Sequence, residues 1–141
     1  MSALESLIRL HRWQLDERRR ELATLEDLAR KLAEERVRLE AEDAREQRAA
    51  LASPEAARGY AGYAKRLIDR RRKLAQSTAE LAQQIAQARD ALTDAFQEVK
   101  RYEIAEASRQ HREEQHEQKR RQAVLDDLGV EGFRRRSTAS E

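Results

Sequence analysis

Three histidines, His11, His111 and His116, two isolated serines, Ser77 and Ser108, and a run of basic residues are the groups whose types could carry chemistry. A metal site on a helix wants imidazoles at i, i+4, so that both face one ion. His111 and His116 are five apart and diverge by about 140° around a helix. His11 falls opposite residues 94 to 100 if the chain folds back on itself, far from both. The serines have no base or oxyanion donors around them, and there is no His-Glu-x-x-His, P-loop or glycine-rich phosphate loop. Cysteine is absent, which removes thiol nucleophiles, disulfides and cysteine metal sites, and fits a reducing compartment. The expectation is a protein that is not an enzyme, with no catalytic residue, metal or cofactor. The remaining chemistry is charge. Arg70-Arg71-Arg72-Lys73 either touches RNA or anionic lipid, or neutralises Glu40, Glu42 and Asp43 folded opposite it.

Composition leaves little room for a concave site. Charged residues make up 40% of the chain and aromatics 4%, and mean hydropathy is -0.99. Such a chain is disordered or an extended helix, and its apolar residues suffice for a seam between two helices, not for a thick core. The 29 basic and 27 acidic residues are mixed along the chain, which argues against a general nucleic-acid field. No apolar run approaches the roughly 20 residues of a membrane span. The start, MSALESLIRLHRW, lacks the basic-then-apolar order of a signal peptide. A soluble, intracellular protein is expected.

Periodicity decides for helix. The single proline, Pro54, suits the first position of a helix and no interior one. Ser53 before it is an N-cap, and Glu55 suits the positive end of the helix dipole. Ser2 and Glu5 have the spacing of a capping box. From there a 4-3 rhythm runs through Leu4, Ile8, His11, Leu15, Arg18, Leu22, Leu25, Ala29, Leu32, Arg36 and Leu39, then fades through Asp43, Glu46 and Ala50. An average of about 3.5 residues is the seam of a left-handed coiled coil. After Pro54 the rhythm resumes through Tyr60, Ala64, Leu67, Arg71, Leu74, Thr78, Leu81, Ile85, Ala88, Leu92, Ala95, Val99 and Tyr102. The fold class expected is all-α: two long helices in an antiparallel coiled-coil hairpin, the second longer than the first. The hairpin spans 1–128, with its reversal near 52–59 and a disordered basic tail at 129–141.

Several details follow. His11, Arg18 and Arg36 on the seam either fix register against carboxylates or extend outward with their stems packed. Leu7, Leu10 and Trp13 lie off the seam, so they either tuck against the second arm or stand out as a partner anchor. Gly59 and Gly62 soften the second helix until Tyr63. Tyr60 and Tyr63 there are a recognition patch or a filling of the loop end. Past about Tyr102 the second arm lacks a partner. EASRQHREEQHEQKRRQ is polar on every side, apolar character returns only at Ala123, Val124, Leu125 and Leu128, and Gly129 is a natural helix stop.

Two segments carry a resemblance. Tyr60-Ala61-Gly62-Tyr63-Ala64-Lys65-Arg66-Leu67 has an aromatic-x-x-aromatic-x-x-x-Leu pattern shortly after the break. Leu92-Thr93-Asp94-Ala95-Phe96-Gln97-Glu98-Val99-Lys100-Arg101-Tyr102-Glu103 follows a Leu-x-x-Ala-x-x-Glu-x-Lys-x-x-Glu pattern, with one residue more between Ala95 and Lys100. With the chain length and the Arg, Glu and Gln-rich helix that follows, this resembles the FliJ family of flagellar type III export proteins. The resemblance implies an antiparallel two-helix coiled coil similar to a rotary ATPase stalk. Its end built from both termini sits in the pore of a hexameric export ATPase. Leu7, Leu10, Trp13, Arg109, Arg112 and Arg120 are the implied ATPase-binding residues. An export gate membrane protein is contacted from the start of the second helix, at Tyr60, Tyr63, Leu67 and Leu74, with Arg70 standing where this chain departs from the pattern. Substrate chaperones are further implied partners and nucleic acid is not. The protein is expected to be monomeric alone, cytoplasmic, and peripheral at the inner face of the cell membrane. Other readings stay open: an injectisome stalk, a scaffold coiled coil that dimerises through its polar overhang, or a nucleic-acid-associated rod using Arg70 to Lys73 and Arg134 to Arg136.

Overall fold

The computed structural model describes residues 2–139, which form two helices, α1 (Ala3–Ala50) and α2 (Pro54–Ala139). The all-α expectation holds, with α2 the longer at 86 residues against 48. Each helix begins where its cap dictates. The Glu5 amide donates to Ser2 Oγ (3.1 Å) and the Ser2 amide donates back to the Glu5 carboxylate (3.2 Å), which satisfies donors that the first turn would leave bare. At the break, the Leu51 and Ala52 amides close the last turn of α1 onto the Arg48 and Ala49 carbonyls. The Ala56 amide then donates to Ser53 Oγ at 3.0 Å, with Pro54 at the first helical position. The reversal is made without any left-handed residue among those described.

The chain forms two compact units, Arg12–Gln97 in one and Met1–His11 with Glu98–Glu141 in the other. In the first, α1 and α2 run antiparallel from the reversal. Leu15, Leu39, Leu67 and Leu81 are its buried apolar residues, and Leu67 is only 2% exposed. All four sit on the 4-3 rhythm, and the alternating positions Leu22, Leu25, Leu32, Leu74, Ile85 and Leu92 are half-buried. In the second unit the first turns of α1 lie antiparallel to α2 after Gln97. Ile8 and Val99 are buried there, and His11 stacks on Tyr102 with ring centroids 4.6 Å apart. His11 therefore meets a residue just beyond the expected stretch 94 to 100. Arg18 and Arg36 are exposed, and Arg18 pairs with Glu21 on its own helix rather than across the seam.

Three expectations about α2 are corrected. The helix is continuous through Gly59 and Gly62 rather than soft until Tyr63. It also passes Gly129 and Gly132 and runs to Ala139, so residues 129–139 of the expected disordered tail are helical, while 140 and 141 lie outside the described residues. Breaking a helix and restarting it requires a new nucleus, which outweighs the roughly 1 kcal/mol that a glycine costs. Local bonds assist the last turns: Arg135 pairs with Glu131 (3.6 Å), and Thr138 Oγ1 donates to the Arg134 carbonyl (2.6 Å). Finally, α1 covers α2 beyond Tyr102. Glu106 is buried, Arg109 is half-buried, and full exposure begins only at Gln110.

Leu67→Ala should lower the unfolding free energy by about 2–3 kcal/mol, since a fully packed leucine loses its contacts and leaves a void that two helices close only in part. A Cβ at Gly59 would meet nothing within 4 Å, so Gly59→Ala should instead raise stability by up to about 1 kcal/mol. Thermal and urea denaturation followed by helical circular dichroism reads both.

Candidate functional site

Near the reversal, in the unit Arg12–Gln97, the packing brings one carboxylate to the centre of a polar cluster. Asp43 holds a seam position where the rhythm would place a leucine, and it is 5% exposed. A buried carboxylate must be hydrogen-bonded or it costs several kcal/mol. Asp43 accepts from the Tyr60 hydroxyl at 2.9 Å, from the Gln47 amide at 2.9 Å and from the Arg71 guanidinium at 3.2 Å. Arg71 also grips Glu40 with two nitrogens, at 2.8 and 2.5 Å, in the forked geometry that suits guanidinium and carboxylate. Arg70 reaches Glu42 at 3.5 Å. The basic run thus neutralises the acidic stretch Glu40, Glu42 and Asp43, as one of the two sequence readings has it, while Lys73 turns to Asp69 on its own helix.

The electrostatic consequences are local. The Arg71 guanidinium holds the Glu40 carboxyl below its ordinary value, and Glu40 in turn raises Arg71. The Tyr63 hydroxyl is buried, approaches Glu42 without meeting hydrogen-bond geometry, and is pushed above the usual 10 by burial and by the charges of Glu42 and Asp43. Its ring lies 5.9 Å from that of Tyr60. The two tyrosines fill the reversal end with their rings and are half-exposed there. Leu67 is corrected as a partner-binding residue: the seam turns it inward, so no partner reaches it while the helices are paired. Leu74 is half-buried, and Ile68 beside this face is an exposed apolar residue that the pattern did not single out. An open groove of about 400 Å³ floored by Leu28, Leu32 and Leu81 is a furrow between the helices, open to solvent.

The other unit has its own buried carboxylate. Glu106, on the seam and 7% exposed, accepts from Arg109 at 2.8 and 3.1 Å and from Gln110 at 3.2 Å. Arg109 holds the Glu106 carboxyl below its ordinary range. Glu113 pairs with Arg109 at 3.2 Å, and Glu5 of α1 adds to the field around it. Of the implied ATPase-binding arginines, Arg109 is therefore engaged within the chain, whereas Arg112 and Arg120 are exposed without an ion pair among the described residues. Leu7 and Leu10 are exposed on α1 in the same unit. Trp13, in the unit Arg12–Gln97, is 58% exposed, so it stands out rather than tucking in.

Sequence reasoning missed the Asp43 to Tyr60 bond and the Glu106 to Arg109 pair. Both had a signal: each carboxylate lies on an apolar rhythm, where it survives only with partners at hand. His111 and His116 are exposed, and no group of three metal-binding side chains occurs among the described residues. No helix among them is long and apolar enough to cross a membrane.

Two helices paired along a narrow seam with charged nodes, their other faces exposed, define a helical hairpin of the coiled-coil class. The sequence model of one family, described as Flagellar FliJ protein, matches residues 1–138. The chain belongs to this FliJ family and is a coiled-coil structural component related to flagellar protein export. No curated protein and no solved structure matches it.

Asp43→Ala should lower the melting temperature more than Glu40→Ala, because it removes a buried carboxylate that accepts from Tyr60, Gln47 and Arg71 together, while Glu40 is solvated. The pH dependence has a definite sign. Glu40 and Glu106 have folded-state values below their unfolded ones, so their contribution is present above about 4.3 and is lost as pH falls through the lowered values. The melting temperature should be flat between about pH 7 and 5 and drop below about pH 4, a fall that Glu40→Gln plus Glu106→Gln makes shallower.

Proposed function

We propose that the protein is the non-enzymatic central stalk of a flagellar export ATPase, linking that hexameric ring to the export gate and to substrate chaperones. The observation that carries this reading is the state of α2 from Gln110 to Arg120: helical, charged and exposed on every side, within a chain of the FliJ family. A lone helix so polar has no fold-internal reason to be this long. A ring with a polar pore supplies one.

On this reading Leu7, Leu10 and Trp13 dock against the ring and Arg112 and Arg120 meet its acidic groups, while Arg109 positions the helix through Glu106. Tyr60, Tyr63 and Leu74 form the gate-facing surface, with Arg70 part of that surface and Leu67 supporting it from beneath. Cargo chaperones bind elsewhere on the rod. The protein works in the cytoplasm, at the inner face of the membrane where the gate opens.

Leu10→Ala with Trp13→Ala should weaken binding of the export ATPase at least about tenfold, since exposed tryptophan and leucine anchors each contribute more than 1 kcal/mol at such contacts. It should also abolish stimulation of ATP hydrolysis while leaving the helical signal intact. Unchanged binding and stimulation would remove the assignment of that surface. Sedimentation should show a monomer for the protein alone, where a scaffold that pairs through its overhang would be a dimer.

A further inference from the structure

The last stretch of α2 differs from the polar helix before it. Val124, Leu125, Leu128, Val130 and Phe133 are each more than half exposed, on a helix that runs unbroken to Ala139. At about 100° per residue, Val124, Leu125, Leu128, Gly129, Gly132 and Phe133 fall within one half of the circumference, with Gln122 near its edge. Asp126, Asp127 and Glu131 all fall in the other half, with Val130 among them. Charge is sorted as well. Lys119, Arg120 and Arg121 precede the segment and Arg134, Arg135 and Arg136 close it, six basic residues against three acidic. Arg121, Arg135 and Arg136 share the apolar half, at its two ends.

Arginines in a last helical turn also offset the dipole, but that accounts neither for Arg121 nor for the banishment of every acid from the apolar half. The ties of Arg121 to Glu117 and of Arg135 to Glu131 are long, at 3.6 Å each, and both arginines are well exposed, so they are free to exchange them. A half-cylinder of valine, leucine, glycine and phenylalanine with arginines at both ends and acids on the back is complementary to one kind of surface. That surface is flat, apolar below and anionic at its rim, as an anionic bilayer is.

We propose that residues 121–136 are a lipid-surface helix that lies flat on anionic membranes, with Leu125, Leu128 and Gly132 downward, Val124 and Phe133 at the edges, and Arg121, Arg135 and Arg136 reaching phosphate headgroups. The small Gly129 and Gly132 let the backbone approach the surface. The site brings the protein to the membrane without a protein receptor, and it is separate from Leu7, Leu10 and Trp13.

The full-length protein should float with vesicles of one part phosphatidylglycerol to two parts phosphatidylcholine and not with phosphatidylcholine alone, and added salt should release it. Val124→Asp with Leu128→Asp should cut the bound fraction by about tenfold or more, and Arg135→Gln with Arg136→Gln by about tenfold. The helical signal should be retained, because Val124, Leu128 and Arg135 are exposed and the bonds of Arg135 and Arg136 stay within one turn of their own helix. Leu10→Ala with Trp13→Ala should leave flotation unchanged. In a Trp13→Phe background, Leu128→Trp should show a blue-shifted emission on anionic vesicles. No flotation, equal flotation with neutral vesicles, indifference to the aspartate pair, loss with the Leu10 and Trp13 pair, or binding to an oligonucleotide with none to vesicles would each overturn the proposal.

Discussion

Each of the two units depends on an apolar seam too thin to make a core. Among the described residues, Ile8, Leu15, Leu39, Leu67, Leu81 and Val99 are the buried apolar side chains. Each such side chain contributes about 1.5–3 kcal/mol, enough to hold two helices side by side and not enough to bury a pocket. Because the described residues form no third layer, the other faces of both helices are available for charge. The chain fills those faces with pairs on the same helix, such as Arg19 with Asp16, Arg20 with Glu17, Arg30 with Asp27 and Arg101 with Glu98. Such exposed pairs contribute only about 0.3–0.5 kcal/mol each. They support the helices; they do not position them.

Positioning falls to the few polar groups that the seam encloses. Apolar side chains at a 3.5-residue repeat tolerate sliding by a heptad, since leucine meets leucine again. Asp43 does not tolerate it: a slipped register would bury its charge without Tyr60 and Arg71. Glu106 with Arg109 and the stack of His11 on Tyr102 impose the same demand within their own unit. A polar group at a core position thus exchanges some stability for a defined alignment. For a protein whose surfaces do the work, a fixed alignment is what gives each surface a constant shape.

Leu7, Leu10 and Trp13 of α1 and the exposed charged run of α2 are excess with respect to folding, since neither is needed to close the pair. Membership of the FliJ family gives that excess a context in flagellar export.

Much was legible in the order of residues alone. The 4-3 rhythm named each buried apolar position among the described residues, because helix periodicity and pairing both follow from where apolar side chains recur. The two caps were legible because Ser2 with Glu5, and Ser53 with Pro54, act through their own backbone neighbours. Other matters required the two helices in contact. Whether Arg71 met RNA or Glu40 depended on what folded opposite it, thirty-one residues away in sequence. Leu67 could be read as a partner contact until the seam turned it inward. Gly129 reads as a stop, yet helix continuation is cooperative and overrode it. How far α1 covers α2, to Arg109 rather than Tyr102, was set by how the first turns of one helix lie against the other. The sequence determined each helix and its apolar stripe, since these are local; tertiary structure alone decided the polar partners and the exposed remainder, since distant residues make them.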